Sequence, residues 1–231
     1  MTPLLFMHIH KTGGQSLSRY LEQFFAPDEI CPHNTDHSIL SHKPRALSKY
    51  KFFRGHISMH GLSQRIDNFT TVTVLRDPRE RLISAFYFWQ RRATENGPHL
   101  PAIMRRFPTM TFADFLSDPE TQSCCDNVQA RLAAGGHYGT TNDQRIMVYG
   151  DPVPHPSERL SYIGTTEALD TAAQAICSLM GFQQSDTSVG RLNVGTRPKS
   201  PLSDVEETLI ARRTEQDWAL YRSIKARHSI Y

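Results

Sequence analysis

Apolar and polar positions change period several times along the chain, and each change marks an element. Pro3-Leu-Leu-Phe-Met-His-Ile-His10 is a short apolar run that stops at Lys11-Thr-Gly-Gly14, the pattern of a buried strand entering a tight glycine turn. Beyond the turn, Leu17, Tyr20, Leu21, Phe24 and Phe25 recur at helical spacing and stop before Pro27. Asp28 to Lys49 is polar and His-bearing, and reads as loop with a short helix around Ala46. Lys51 to Ile57 is a second strand candidate. Thr70-Thr-Val-Thr-Val-Leu75 is β-branched and strongly strand-like, and Arg76-Asp77-Pro78 then supplies a capping acid and a first-turn proline for a helix carrying Leu82, Ile83, Phe86 and Trp89. The prolines and mixed charges from Ala93 to Phe107 read as a surface insertion bordering a substrate cleft.

Thr111 to Leu116 and Asp126 to Ala134 read as helices, and Leu160 to Thr165 as a strand. Ala168 to Met180 traces a helix closed by Gly181, and Ser203-Asp-Val-Glu206 is a capping box opening a C-terminal helical region with Trp218, Tyr221 and Ile224 on one side. Strands alternating with helices predict an α/β domain with a central parallel sheet, whose ligands bind beyond the carboxyl ends of the strands.

Composition narrows the class. The chain has 231 residues, 39% apolar and 21% charged, enough apolar material for one enzyme-sized domain over residues 1–231 and too much for wholesale disorder. A net charge of +3 at pH 7 suits an anionic ligand and is too mild to point to nucleic acid. Cys31, Cys124, Cys125 and Cys177 make no CxxC pair, and the vicinal two are poorly placed for an ordinary disulfide. No run approaches the roughly 18 to 20 apolar residues of a membrane span, and Met1 is followed by no basic n-region and long h-region. The expectation is a cytoplasmic chain with inert thiols; oligomeric state is not readable.

Candidate chemistry gathers at the two early turns. In His10-Lys-Thr-Gly-Gly-Gln-Ser16 the glycines let backbone N–H groups approach an anion, the helix N-terminus adds its dipole, and Lys11, Thr12 and Ser16 add donors. The lysine precedes the glycine pair, unlike GxxxxGK[ST], which counts against an ATP kinase. The plainer reading is a glycine turn with a surface lysine. Arg76 and Ser84, a strand-end guanidinium and a hydroxyl about two turns into the next helix, could face a second anionic group. On spacing alone they read as well as a salt-bridge partner and a solvated hydroxyl, with Arg79 and Arg81 as exposed helix charges.

Together, Phe6-Met-His-Ile-His-Lys-Thr-Gly-Gly-Gln-Ser-Leu17 and Thr73-Val-Leu-Arg-Asp-Pro-Arg-Glu-Arg-Leu-Ile-Ser-Ala-Phe-Tyr87 resemble the two nucleotide-binding motifs of sulfotransferases. The resemblance is to the carbohydrate branch that includes heparan sulfate 2-O- and 6-O-sulfotransferases, with HIxKTGGxS and RDPxxRxxSxF loops. Asp126-Asn-Val-Gln-Ala-Arg-Leu132 is similar to the family's NxQxR helix and Ile163-Gly-Thr-Thr-Glu167 to its GxTE strand end. The resemblance implies 3′-phosphoadenosine 5′-phosphosulfate as donor. Its 5′-phosphosulfate would be held by Lys11, Thr12, Gly13, Gly14, Gln15 and Ser16, and its 3′-phosphate by Arg76 and Ser84. Arg197 and Lys199 would belong to a late basic loop near the nucleotide.

Arg54-Gly-His-Ile57 resembles the segment in which 2-O-sulfotransferases place their catalytic histidine, which implies His56 as general base, with His60 as competitor. An acceptor alcohol must lose its proton as it attacks sulfur, and an imidazole titrating near neutrality is a suitable acceptor. His8 and His10 alternate along a strand, and His56 and His60 would share a face if helical, but no convincing further ligands complete a metal site. The resemblance favours a saccharide or glycolipid hydroxyl as acceptor. An atypical nucleotide kinase and a nucleotide-binding module without chemistry remain the rival classes.

Overall fold

The computed structural model describes residues 1–96, 100, 102–141, 144, 146–183, 188–190 and 201–228. In chain order the elements are β1 (Leu4–Met7), α1 (Gly14–Glu22), α2 (Asp36–Leu40), α3 (Pro44–Leu47), β2 (Phe52–Gly55), α4 (Met59–Ser63), β3 (Thr70–Leu75), α5 (Pro78–Asn96), α6 (Ala102–Arg105), α7 (Phe112–Ser117), α8 (Gln122–Cys125), α9 (Val128–Ala133), β4 (His137–Tyr138), β5 (Val148–Tyr149), β6 (Leu160–Thr165), α10 (Leu169–Met180), α11 (Asp204–Arg213) and α12 (Glu215–His228).

The central sheet is parallel, in the order β2-β1-β3-β6. Alternation within β1 assigns its faces. Leu4 and Phe6 pack with Leu17 and Leu21 of α1 and with Ala172, Ala173 and Ile176 of α10. Leu5 and Met7 pack on the opposite side with Leu62, Val128 and Leu132 and with Leu220, Tyr221 and Ile224 of α12. Helices therefore cover both faces, as the alternating pattern predicts, and β1 is apolar throughout because neither of its faces meets water. The register aligns Met7 with Gly55 and Leu75 with Thr165, so the strands end along one edge. Among the described residues, no helix is long and apolar enough to cross a membrane.

Several expectations need correction. α5 runs to Asn96, and Ala93, Leu100, Ile103, Met104 and Phe107 are buried with Trp89 and Phe115 rather than forming a surface insertion. Those apolar residues close a satellite core, which outweighs the loop signal of the nearby prolines. Residues 28–49 hold α2 as well as the helix at Ala46, because Thr35 caps Ser38 in a stretch too polar to show a periodic stripe. The hairpin β4–β5 had no signal, each strand being two residues long. Arg81 is wholly buried, not an exposed helix charge. It falls on the inward stripe of α5 with Leu82, Ala85, Phe86 and Trp89.

Candidate active site

Each sheet strand delivers its next residue or loop to the same edge: His8 to Lys11 after β1, His56 after β2, Arg76 after β3 and Thr166 after β6. The first turn is strained and tightly packed. Lys11 and Gly13 both have left-handed backbones, φ 68° and 75°, a conformation that costs a non-glycine residue roughly 1–2 kcal/mol. A Cβ on Gly14 would lie 2.1 Å from His8 Cδ2, so only glycine lets α1 start this close to β1. Gly13, the N-cap of α1, offers no side-chain cap and no acid sits in the first turn, which leaves the dipole unneutralised by the helix itself.

Thr12 is buried and its hydroxyl donates to Ile9 O at 2.8 Å, closing the turn from within. Ser16 is buried near the helix start, whereas Gln15 is exposed there. The Lys11 ammonium sits 4.2 Å from the centre of the Phe88 ring, with the Arg91 guanidinium at 6.0 Å from the same ring. Partial burial, with help from Arg76 and Arg91, lowers the Lys11 amine to about 8.

The second turn touches the first. Arg76 Nη1 donates to Lys11 O at 3.2 Å, and Glu80 lies 3.7 Å from Nη2. Gln129 clamps the Arg76 backbone at both ends, its Oε1 accepting from N at 2.8 Å and its Nε2 donating to O at 3.0 Å. Asp77 Oδ1 caps α5 by accepting from Glu80 N at 3.0 Å. Ser84 is half-buried in the second turn of that helix. From β6, the Thr166 hydroxyl contacts both Thr12 O and Leu75 O, and Glu167 accepts from Asp77 N at 3.2 Å. The NxQxR and GxTE segments therefore act as braces for the two turns. Asn127, left-handed at φ 45°, accepts from Gln216 N and Asp217 N at the start of α12, and Arg131 pairs with Asp126 at 2.6 Å.

Three histidines converge beside Lys11. The His56 ring lies 5.0 Å from that of His8 at an interplanar angle of 30°, and 4.8 Å from that of His10 at 74°. His56 Nδ1 is 2.8 Å from His8 O. A carbonyl only accepts, so Nδ1 carries the proton and the lone pair of the neutral ring belongs to Nε2. Burial first, then the cost of a second imidazolium beside His56, pushes both His8 and His10 well below the usual imidazole range, which keeps them neutral. His60 is elsewhere: exposed on α4, it meets Gln64 and the ring of His137. Among the described residues, no group of three or more His, Cys, Asp or Glu is arranged to hold a metal ion. Arg197 and Lys199 lie outside the described residues.

A glycine turn, an arginine and a histidine thus share the carboxyl edge of one parallel α/β sheet. The chain belongs to the sulfotransferase family, whose pattern matches residues 2–226. Its fold is similar to that of the sulfotransferase from Alicyclobacillus acidocaldarius, with a TM-score of 0.54 and 16% identity over 97% of this chain and 96% of that one. No curated protein sequence matches.

Gln129, Tyr138, Asp36 and Arg81 were not among the residues expected at the site. Arg81 had a signal, its place on the apolar stripe of α5. Asp36 and Tyr138 had none, because each acts on a segment remote in sequence.

Proposed function

We propose that this sulfotransferase moves a sulfuryl group from 3′-phosphoadenosine 5′-phosphosulfate to an acceptor hydroxyl by in-line displacement, without a covalent enzyme intermediate. One observation carries the reading: the Arg76 to Lys11 O hydrogen bond, which joins both motif turns beside the glycine-led, acid-free start of α1. Lys11 stabilises charge developing on the oxygen between phosphorus and sulfur. The N-terminus of α1, with Gly13, Gly14, Gln15 and Ser16, holds the 5′ end, and Thr12 keeps that turn closed. Arg76 and Ser84 bind the 3′-phosphate, with Arg197 and Lys199 as further contacts. His56 takes the acceptor proton on Nε2. Lys11, Arg76 and the helix dipole provide the positive field that magnesium provides in a kinase. The acceptor proposed from the sequence resemblance is a saccharide or glycolipid hydroxyl.

Thermal shift with adenosine 3′,5′-bisphosphate, followed by a search for sulfuryl transfer from 35S-labelled donor into saccharide, lipid and phenol pools, tests this reading. Stabilisation without magnesium that is lost in Arg76→Ala, together with transfer into the saccharide or lipid pool that collapses in Lys11→Ala and His56→Ala, is expected. Stabilisation only by magnesium and ATP would favour a kinase. Bisphosphate binding without transfer to any pool would favour a module without chemistry.

A further inference from the structure

The hydrogen bonds around His56 close into a circuit whose remaining members have no part in the reaction described above. His56 Nδ1 and the Tyr138 hydroxyl lie 2.8 and 3.0 Å from one acceptor, the His8 carbonyl oxygen. Both must donate, and together they occupy its two lone pairs. Tyr138 is held in turn by its backbone, whose N–H donates to Asp36 Oδ2 at 3.0 Å. The same carboxylate accepts from Ser58 N at 2.8 Å and Ser58 Oγ at 2.7 Å, two residues beyond His56. Asp36 N returns a bond to His56 O at 3.0 Å. Asp36 and Tyr138 are each 1% exposed.

This arrangement exceeds what polar satisfaction requires. The His8 carbonyl is already satisfied by His56, so a phenylalanine at 138 would leave no acceptor unpaired, and burying a phenol there carries a desolvation cost. What the second donor adds is direction: it pins the carbonyl that holds Nδ1–H. Burial pushes the Tyr138 phenol well above its ordinary value, so it remains a donor at neutral pH. Its ring, 5.2 Å from His10 and 5.5 Å from His56, completes the packing around the imidazole.

We propose that Tyr138 and Asp36 are positioning residues for His56, Tyr138 fixing the carbonyl that sets its tautomer and Asp36 tying the His56–Ser58 turn to the strand that carries Tyr138. The proposal rests on His56 being the base. Two measurements separate the failure of one from the failure of the other. The first is 15N spectroscopy of histidine-labelled protein, with the His56 signal assigned by its loss in His56→Ala. The wild type should show the Nδ1–H tautomer, and Tyr138→Phe a mixture of both. A wild-type His56 in the Nε2–H form overturns the proposal without any Tyr138 variant, even if that variant failed to fold. The second is transfer of 35S from labelled donor to pooled saccharides. Tyr138→Phe should lower kcat about tenfold, the worth of one well-placed hydrogen bond, at unchanged donor KM, and should cost nothing further in the His56→Ala background. Equal losses in both backgrounds, or wild-type kcat with an unaltered tautomer, overturn the positioning role. Full turnover in His56→Ala, whatever the spectra show, removes the base and the proposal with it.

Discussion

Lys11 joins a left-handed backbone to an ammonium packed over Phe88, and Arg76 holds it in place through its carbonyl. With its amine at about 8, Lys11 is charged below that pH and neutral above it. The unfolded chain keeps that proton to the ordinary value of 10.5, so burying the ammonium is a cost to stability present below about pH 8 and relieved as pH rises towards the unfolded value. Anion binding runs the other way. Affinity for adenosine 3′,5′-bisphosphate should fall as pH rises above about 8, and Lys11→Met should bind weakly at every pH without the slope. Calorimetric titration from about pH 7 to pH 10 checks this, and a flat profile in the wild type would detach Lys11 from the phosphate site. The role of Arg76 came from the family resemblance, since spacing alone read it as well as a salt-bridge partner. The placement of Lys11 and Arg76 just after strands was legible because a glycine turn and a β-branched run are local signals. Tyr138 was not, since its bond to Asp36 spans 102 positions and no periodicity records such a meeting.

At the level of elements, the strand, turn and helix from β1 to α1 depend on the absence of a side chain at Gly14. Gly14→Ala would place a methyl 2.1 Å from the His8 ring, forcing either α1 or the histidine to move at a cost of about 1–3 kcal/mol. Urea denaturation should show that loss, and bisphosphate affinity should drop with it because the helix start is displaced. Native values for both would mean that the turn has slack the packing does not show. The switch from a short apolar run to helical spacing made this unit readable in sequence, as it did for β3 and α5. The same logic failed between Ala93 and Phe107. Prolines there punctuate the chain locally, yet Leu100, Ile103 and Met104 fold back beneath Trp89, and only the third dimension shows that an apparent insertion is core.

Across the whole molecule, Arg81 on α5 and Asp217 on α12 put opposite charges into the interior and act on each other. Asp217 Oδ1 accepts from Ala130 N at 2.7 Å, one residue beyond the glutamine that clamps Arg76. The helix α12 is thereby linked to the carboxyl edge of the sheet through α9. Burial raises the Asp217 carboxyl from 3.8 to about 6 against the pull of Arg81, so the penalty for burying its ionised form grows as pH climbs between those values. Arg81→Met should destabilise the fold by about 3–5 kcal/mol near pH 8, the usual result of stranding one buried charge. The loss should shrink near pH 5, and Arg81→Met with Asp217→Asn should recover most of it. Denaturation curves at both pH values decide, and a pH-independent loss would assign Arg81 to packing alone.

All four cysteines are free and interior, and burial raises the Cys125 thiol to about 11 and Cys124 higher still. A maleimide dye finds no ready thiolate in the native molecule. Labelling therefore waits on opening of the interior, and the rate at which fluorescence accrues becomes a clock for how often the folded enzyme comes apart.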